Sequence, residues 1–180
     1  MQFAKAFEYK KWANSQLLDF GERQFSKLPE NDGIFFLRIL NHTTVVDSLF
    51  ISRILGEPEK YTADNTVETP SFSELRERMA HNDTRLVQYA MSASKDELEK
   101  VIQFNFVDGD IGTMSVEEVL LHLLTHGNNH RGMASRVLAE NNLERPKDTF
   151  TRYLHLAEPT RRGSAALTDP LIFSLVLRCV

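Results

Sequence analysis

The chain has 180 residues, with 21 Lys+Arg against 25 Asp+Glu, a formal charge of −4 and a single cysteine. One domain with one core is the expectation at this length. The acidic balance provides no general field for a nucleic-acid backbone, and Cys179 alone can form neither an intrachain disulfide nor a Cys-based metal cluster. The first residues, MQFAKAFEYKKWAN, alternate charge with aromatics instead of carrying an unbroken apolar stretch. The late apolar run, Leu171 to Leu177, falls far short of the ~20 residues that span a membrane. A cytoplasmic protein with neither nucleic acid nor membrane as a partner is expected.

Taken in chain order, helical periodicity dominates and predicts an all-α fold of four long helices. The first covers about Phe3 to Phe25, with Phe3, Phe7, Asn14 and Leu18 near one face. The second covers about Gly33 to Leu55 and stops at Gly56, with Pro58 two residues beyond. The stretch from Glu57 to Pro70 is too charged to be a core element. Ser71 or Ser73 caps a third helix carrying Phe72, Leu75, Met79, Leu86 and Tyr89 on one stripe. Between Val101 and Met114 the pattern alternates about Asp108-Gly109-Asp110, which predicts a short hairpin or extended crossover. Ser115-Val-Glu-Glu118 is a capping box opening the fourth helix, which runs to about Asn141. A short segment from Asp148 to Leu156 is expected to pack across the bundle end. Residues 159–180, which begin with Pro159 and include Arg161-Arg162-Gly163-Ser164, read as an appendage to a domain of residues 1–158.

The fourth helix carries HLLTHGNNHRG, which sets His122, His126 and His130 at successive steps of four. Eight residues of helix rise about 12 Å, whereas a metal–nitrogen bond is ~2.0–2.1 Å. A pair one turn apart is therefore the sound ligand geometry. Alternating steps of three and four predict an inward seam of Val116, Val119, Leu123, His126, His130, Met133 and Val137, with His122 on a polar flank. The same count on the second helix gives Phe35, Ile39, His42, Val46 and Leu49. His42, His126 and His130 thus interrupt apolar seams, and a buried polar group without a partner costs about 1–3 kcal/mol. A shared divalent metal would partner all three, and helix bundles build metal sites from side chains on facing helices. The plain alternative is core histidines bonded to backbone or hydroxyl groups. His81 and His155 fall off the apolar stripes and read as surface residues.

These residues resemble the DinB-like or YfiT-like metal-dependent family, with mycothiol-dependent isomerases as more distant relatives. The matching pieces are Trp12-Ala13-Asn14, Leu40-Asn41-His42 with Val46-Asp47, the run from His122 to Gly132, and the late Arg145-Pro146 with Asp148 to Leu154. The resemblance covers residues 1 to about 158. It implies a four-helix bundle in which His42, His126 and His130 are the metal ligands, His122 is not a usual one, and two copies pair as a homodimer. Met133 departs from the glutamine often found there in the family.

Three neutral imidazoles leave a coordination position open, as in catalytic rather than structural zinc sites. Imidazole suits several metals; zinc or nickel is the first expectation, with iron, manganese or cobalt as alternatives. The resemblance points to transfer of a low-molecular-weight thiol, with a thiolate held at the metal; hydrolysis by activated water is the related possibility. A non-catalytic metal-binding stress-response bundle is the competing reading, and a metal-free interaction module a third. No general base is identified. Trp12, Asn14 and Asp47 are candidates to line the pocket, against the alternative of a packed Trp and a solvated Asp. Arg131 would either hold an anionic co-substrate or pair with an acidic surface residue.

Overall fold

The computed structural model describes residues 2–157. They fall into two compact units divided after Pro146. In the first, four long helices α1 (Gln2–Gln24), α2 (Glu30–Leu55), α3 (Phe72–Ser92) and α5 (Val116–Glu140) are joined by a short helix α4 (Lys95–Glu99) and a hairpin of β1 (Val101–Asn105) and β2 (Ile111–Ser115). In the second, α6 covers Phe150–Ala157. The late segment is thus helical from Phe150. The 159–180 tail and Cys179 lie outside the described residues.

Helix α2 begins three residues earlier than Gly33. Pro29 is its N-cap, and Glu30 and Asp32 occupy the first turn, where negative charge suits the helix dipole. Gly33 does not break it: the glycine lies against the Phe25 ring, where a Cβ would come within 2.9 Å of Cζ. Gly56, at φ 68°, ends α2 in the left-handed conformation. Ser71, not Ser73, caps α3 through a capping box with Glu74. The predicted box of Ser115 and Glu118 opens α5. Ser94 and Glu97 form a third box, which opens α4. Its Ser-x-x-Glu signal was legible but lay on too short a periodic stretch to register as a helix.

The hairpin expectation holds. Strands β1 and β2 pair antiparallel, Val101 opposite Ser115 and Asn105 opposite Ile111. Gly109, at φ 97°, turns the chain in the loop between them.

Helix α1 packs on α3 and α5, and α2 packs on α3 and α5. By length and composition Glu30–Leu55 could cross a membrane, but 67% of that window is buried inside the protein, as for a core helix. The apolar interior has two clusters. Phe7, Val46, Phe50, Leu86, Phe104, Val119 and Leu123 belong to one. Leu17, Phe36, Leu40, Leu75, Met79, Ala134 and Leu138 belong to the other. Between these along each helix lie polar residues: Lys10 and Asn14 on α1, Thr43 and Thr44 on α2, Asn82 and Asp83 on α3, and Arg131 on α5, with Asp47 next to Val46 at the edge of the first cluster, all buried.

The expected seams need one correction. Phe35 is 42% exposed and Met133 is 39% exposed, so neither is a core residue. The buried stripe runs through Phe36, Leu40, Thr44 and Asp47 on α2, and through Leu120, Leu123, Gly127, Arg131, Ala134 and Leu138 on α5. The 3.6-residue helix drifts relative to a strict 3.5 count, so each true seam is turned slightly from the counted one. His42, His126 and His130 consequently stand half-buried at the edge of the core.

Candidate metal centre

Helices α2 and α5 run antiparallel. Asp32 near the start of α2 accepts a hydrogen bond from Asn141 at the end of α5 (2.7 Å), and Phe50 near the end of α2 meets His122 near the start of α5 at 5.2 Å between ring centroids. This brings His42 level with the His126/His130 pair. His126 Nε2 lies 3.1 Å from His42 Nε2 and 3.0 Å from His130 Nε2. Ligand atoms of all three lie within 4.8 Å of one another. His122, although its ring is 5.2 Å from that of His126, is not in the group, as expected.

The donor set fits a cation. Nitrogens that bind one ion at ~2.0–2.1 Å stand about 2.9–3.4 Å apart, and the two Nε2 separations fall inside that range. His42 Nδ1 faces the Asp64 carbonyl oxygen at 2.8 Å. Donation from Nδ1 to that carbonyl leaves the Nε2 lone pair bare, the arrangement found in metal-ligating histidines. His126 Nδ1 and His130 Nδ1 are buried without a hydrogen-bond partner, so their tautomers are not set in this way. Burial, with the neighbouring histidines adding to it, pushes the His126 pKa down to about 3, and burial and His42 lower that of His130. The rings of His126 and His130 therefore stay uncharged, as ligands must, at neutral pH.

The loop after α2 supplies what sequence reasoning missed. Asn41 donates to Thr66 Oγ1 (2.7 Å) and to Asn65 Oδ1, while Asn65 Nδ2 donates to the Arg38 carbonyl (3.1 Å). Arg38 in turn donates to the Thr66 and Val67 carbonyls, 3.2 Å each. These contacts fasten the loop along α2 and place the Asp64 carbonyl on His42. A polar run such as Asp64-Asn65-Thr66 signals a turn, but nothing in its spacing ties it to a histidine 22 residues earlier.

The triad sits on a protein that matches the family model described as DinB family over residues 1–163. The chain belongs to the DinB family. Among curated proteins, none matches it.

Asp47, Asn14, Arg131 and Trp12 each pack against partners on α1, α3 or α5. Asp47 is not solvated: it is 1% exposed and pairs with Lys10 Nζ at 2.5 Å. Asn14 is buried and donates to both Asp83 oxygens, 3.1 and 2.8 Å away. Arg131 is 2% exposed, hence not a surface residue; it donates to Asn128 Oδ1 (3.3 Å) and lies over the Tyr9 ring. Trp12 is half-buried, 6.3 Å from Tyr9 between ring centroids. His81 and His155 are exposed, as expected.

Proposed function

We propose that this DinB-family protein is a cytoplasmic metalloenzyme, a four-helix bundle in which His42, His126 and His130 hold one divalent cation and a small thiol or water is activated for transfer or hydrolysis. The observation that carries this reading is the convergence of three Nε2 atoms from two helices, with His42 oriented by the Asp64 carbonyl. A bound ion would act there as a Lewis acid and lower the pKa of a thiol or water that reaches it.

The chain's own residues set the terms of that chemistry. All three ligands are neutral, so they cancel none of the cation's charge and favour an anionic partner such as a thiolate. The rings are half-buried, which leaves them reachable from solvent by a small molecule. Residues 1–158 contain no cysteine, so the sulfur comes from a low-molecular-weight co-substrate. Imidazole ligands suit zinc or nickel. Two copies of the chain are expected to associate, which sedimentation equilibrium measures directly.

The test begins with elemental analysis of protein purified without a polyhistidine tag. About one equivalent of divalent metal, lost in His126→Ala, is the expected result. Loaded protein is then incubated with a panel of thiols and electrophiles. Metal-dependent thioether formation supports transfer, and turnover that survives metal removal sinks the mechanism. Tight metal binding with no turnover on a broad panel would favour a non-catalytic stress-response protein.

A further inference from the structure

The least expected feature of the core is a layer of charge lying between the two apolar clusters. Lys10 on α1 sends its ammonium to Asp47 Oδ2 on α2 (2.5 Å) and to Asp83 Oδ1 on α3 (2.9 Å). Asn14, one turn along α1, donates to Asp83 and stands 3.4 Å from Arg131 Nη1 on α5. Side chains from four helices thus meet in one buried network. Its level matches that of the histidines. Gly127, between His126 and His130, is where the Lys10 chain crosses α5: a Cβ there would come within 3.0 Å of Lys10 Cε. Asp47 is little more than one turn from His42.

We propose that Lys10, Asp47 and Asp83, with Asn14 and Arg131, are positioning residues for the metal centre: they hold α2 and α5 in the register at which His42 meets His126 and His130. The inference rests on the metal-site reading above. Apolar seams accept sliding and small rotations of one helix on another, because dispersion contacts have no direction. Ion pairs and hydrogen bonds with a defined geometry do not accept them; here the ion pairs tie α1 to α2 and α3, and Arg131 donating to Asn14 Oδ1 ties α5 to α1. Burying such charges costs stability that well-packed apolar residues would not, so the layer is poorly explained as a stabilising device. Fixing register is an attested use of buried polar groups. The ligands come from two different helices, and a slip of one residue, about 1.5 Å along the axis, would move His42 Nε2 out of its place against His126 and His130.

The experiment compares wild type, Asp83→Asn, and the charge-removing triple variant K10M/D47L/D83N. Asp83→Asn is nearly isosteric and lies on α3, which carries no ligand, so any effect at the triad must pass through the layer. Zinc affinity is measured by competition with a chromophoric chelator, and metal-free stability by urea unfolding. Residues that orient metal ligands from outside the coordination shell change affinity by roughly 10–100-fold when lost; Asp83 acts through Lys10 and Asn14, so about tenfold weaker binding is expected for Asp83→Asn, and more for the triple variant. Metal-free stability of the triple variant is expected to fall, because the Arg131 guanidinium stays buried while both carboxylates of the layer are gone. Histidine ring NMR signals of the metal-free protein provide a second readout: those of His42, His126 and His130 shift in Asp83→Asn. Unchanged zinc affinity and unchanged ring signals in Asp83→Asn would overturn the proposal. Failure of the metal reading is seen separately, as wild-type protein that takes up no zinc, and the positioning role falls with it. Should the triple variant fail to fold, Asp83→Asn decides alone.

Discussion

Glycine-to-alanine substitution inside a helix ordinarily stabilises a protein by about 0.5–1 kcal/mol, because the unfolded chain loses freedom and helix propensity rises. Gly21, in α1, is expected to reverse that sign. A Cβ built there stands 2.3 Å from Phe36 Cζ and 2.5 Å from Cε1. Carbon atoms pack best at about 3.5–4.0 Å, so ring and methyl must separate by more than ~1 Å. Phe36 is fully enclosed and cannot swing into solvent. Overpacking of a closed core costs about 1–3 kcal/mol; contacts as close as these belong in the upper half of that range, and subtracting the helix gain leaves Gly21→Ala destabilised by about 1–2 kcal/mol. Urea unfolding at constant m-value measures this, and in thermal unfolding it corresponds to a fall of roughly 2–8 °C for a chain of this size. Gly132→Ala is the control: Gly132 lies within α5, and nothing stands within 4 Å of its Cβ position. That variant is expected to gain about 0.5–1 kcal/mol. Adding Phe36→Leu to Gly21→Ala should recover part of the loss, giving a coupling energy of about 1 kcal/mol. If Gly21→Ala stabilises as much as Gly132→Ala does, the close approach of the Phe36 ring to α1 at this point is wrong.

Zinc at one hundred times its dissociation constant should stabilise the protein by about 2.7 kcal/mol; differential scanning fluorimetry should show that shift in wild type and His122→Ala and lose it in His126→Ala. The metal-free protein has two opposed pH dependences. Burial holds Asp47 up at about 6, although Lys10 pulls it down, so the folded state takes up a proton and this group's contribution falls as pH rises from about 4 through 6. His126, held down at about 3, sheds a proton on folding, so its contribution is present above about 6.5 and is lost as pH falls toward 3. Replacing Asp47 with Asn removes the first, and urea unfolding from pH 4 to 6 should then show stability rising more steeply with pH than in wild type; an unchanged slope contradicts the assignment. Ser115→Ala deletes the acceptor for the Glu118 N–H in the box that opens α5, and a loss of about 1 kcal/mol is expected in the same assay.

Local and periodic features were decided by the sequence alone. Gly56, Ser115 and Gly109 act through their own dihedral preferences and nearest backbone groups, so the end of α2, the α5 cap and the hairpin turn could be read without knowing what packs against them. The ligand candidates were legible for a related reason: a four-residue step fixes His126 and His130 on one helix face, and His42 shares the polar-in-apolar character of that pair.

Tertiary structure decided what depends on pairs distant in the chain. Small angular errors per residue accumulate along a helix, so Phe35 and Met133 were counted inward and stand exposed, while Asp47 and Arg131 were left toward solvent and lie buried. A buried charge is tolerated only where its partners are, and the partners of Asp47 and Asn14 sit on other helices, 37 and 69 residues away. The Asp64 carbonyl reaches His42 only because the polar loop is fastened along α2 by Arg38 and Asn41. Residue type and spacing could nominate three histidines; only the antiparallel register of α2 on α5 brings their Nε2 atoms to one point.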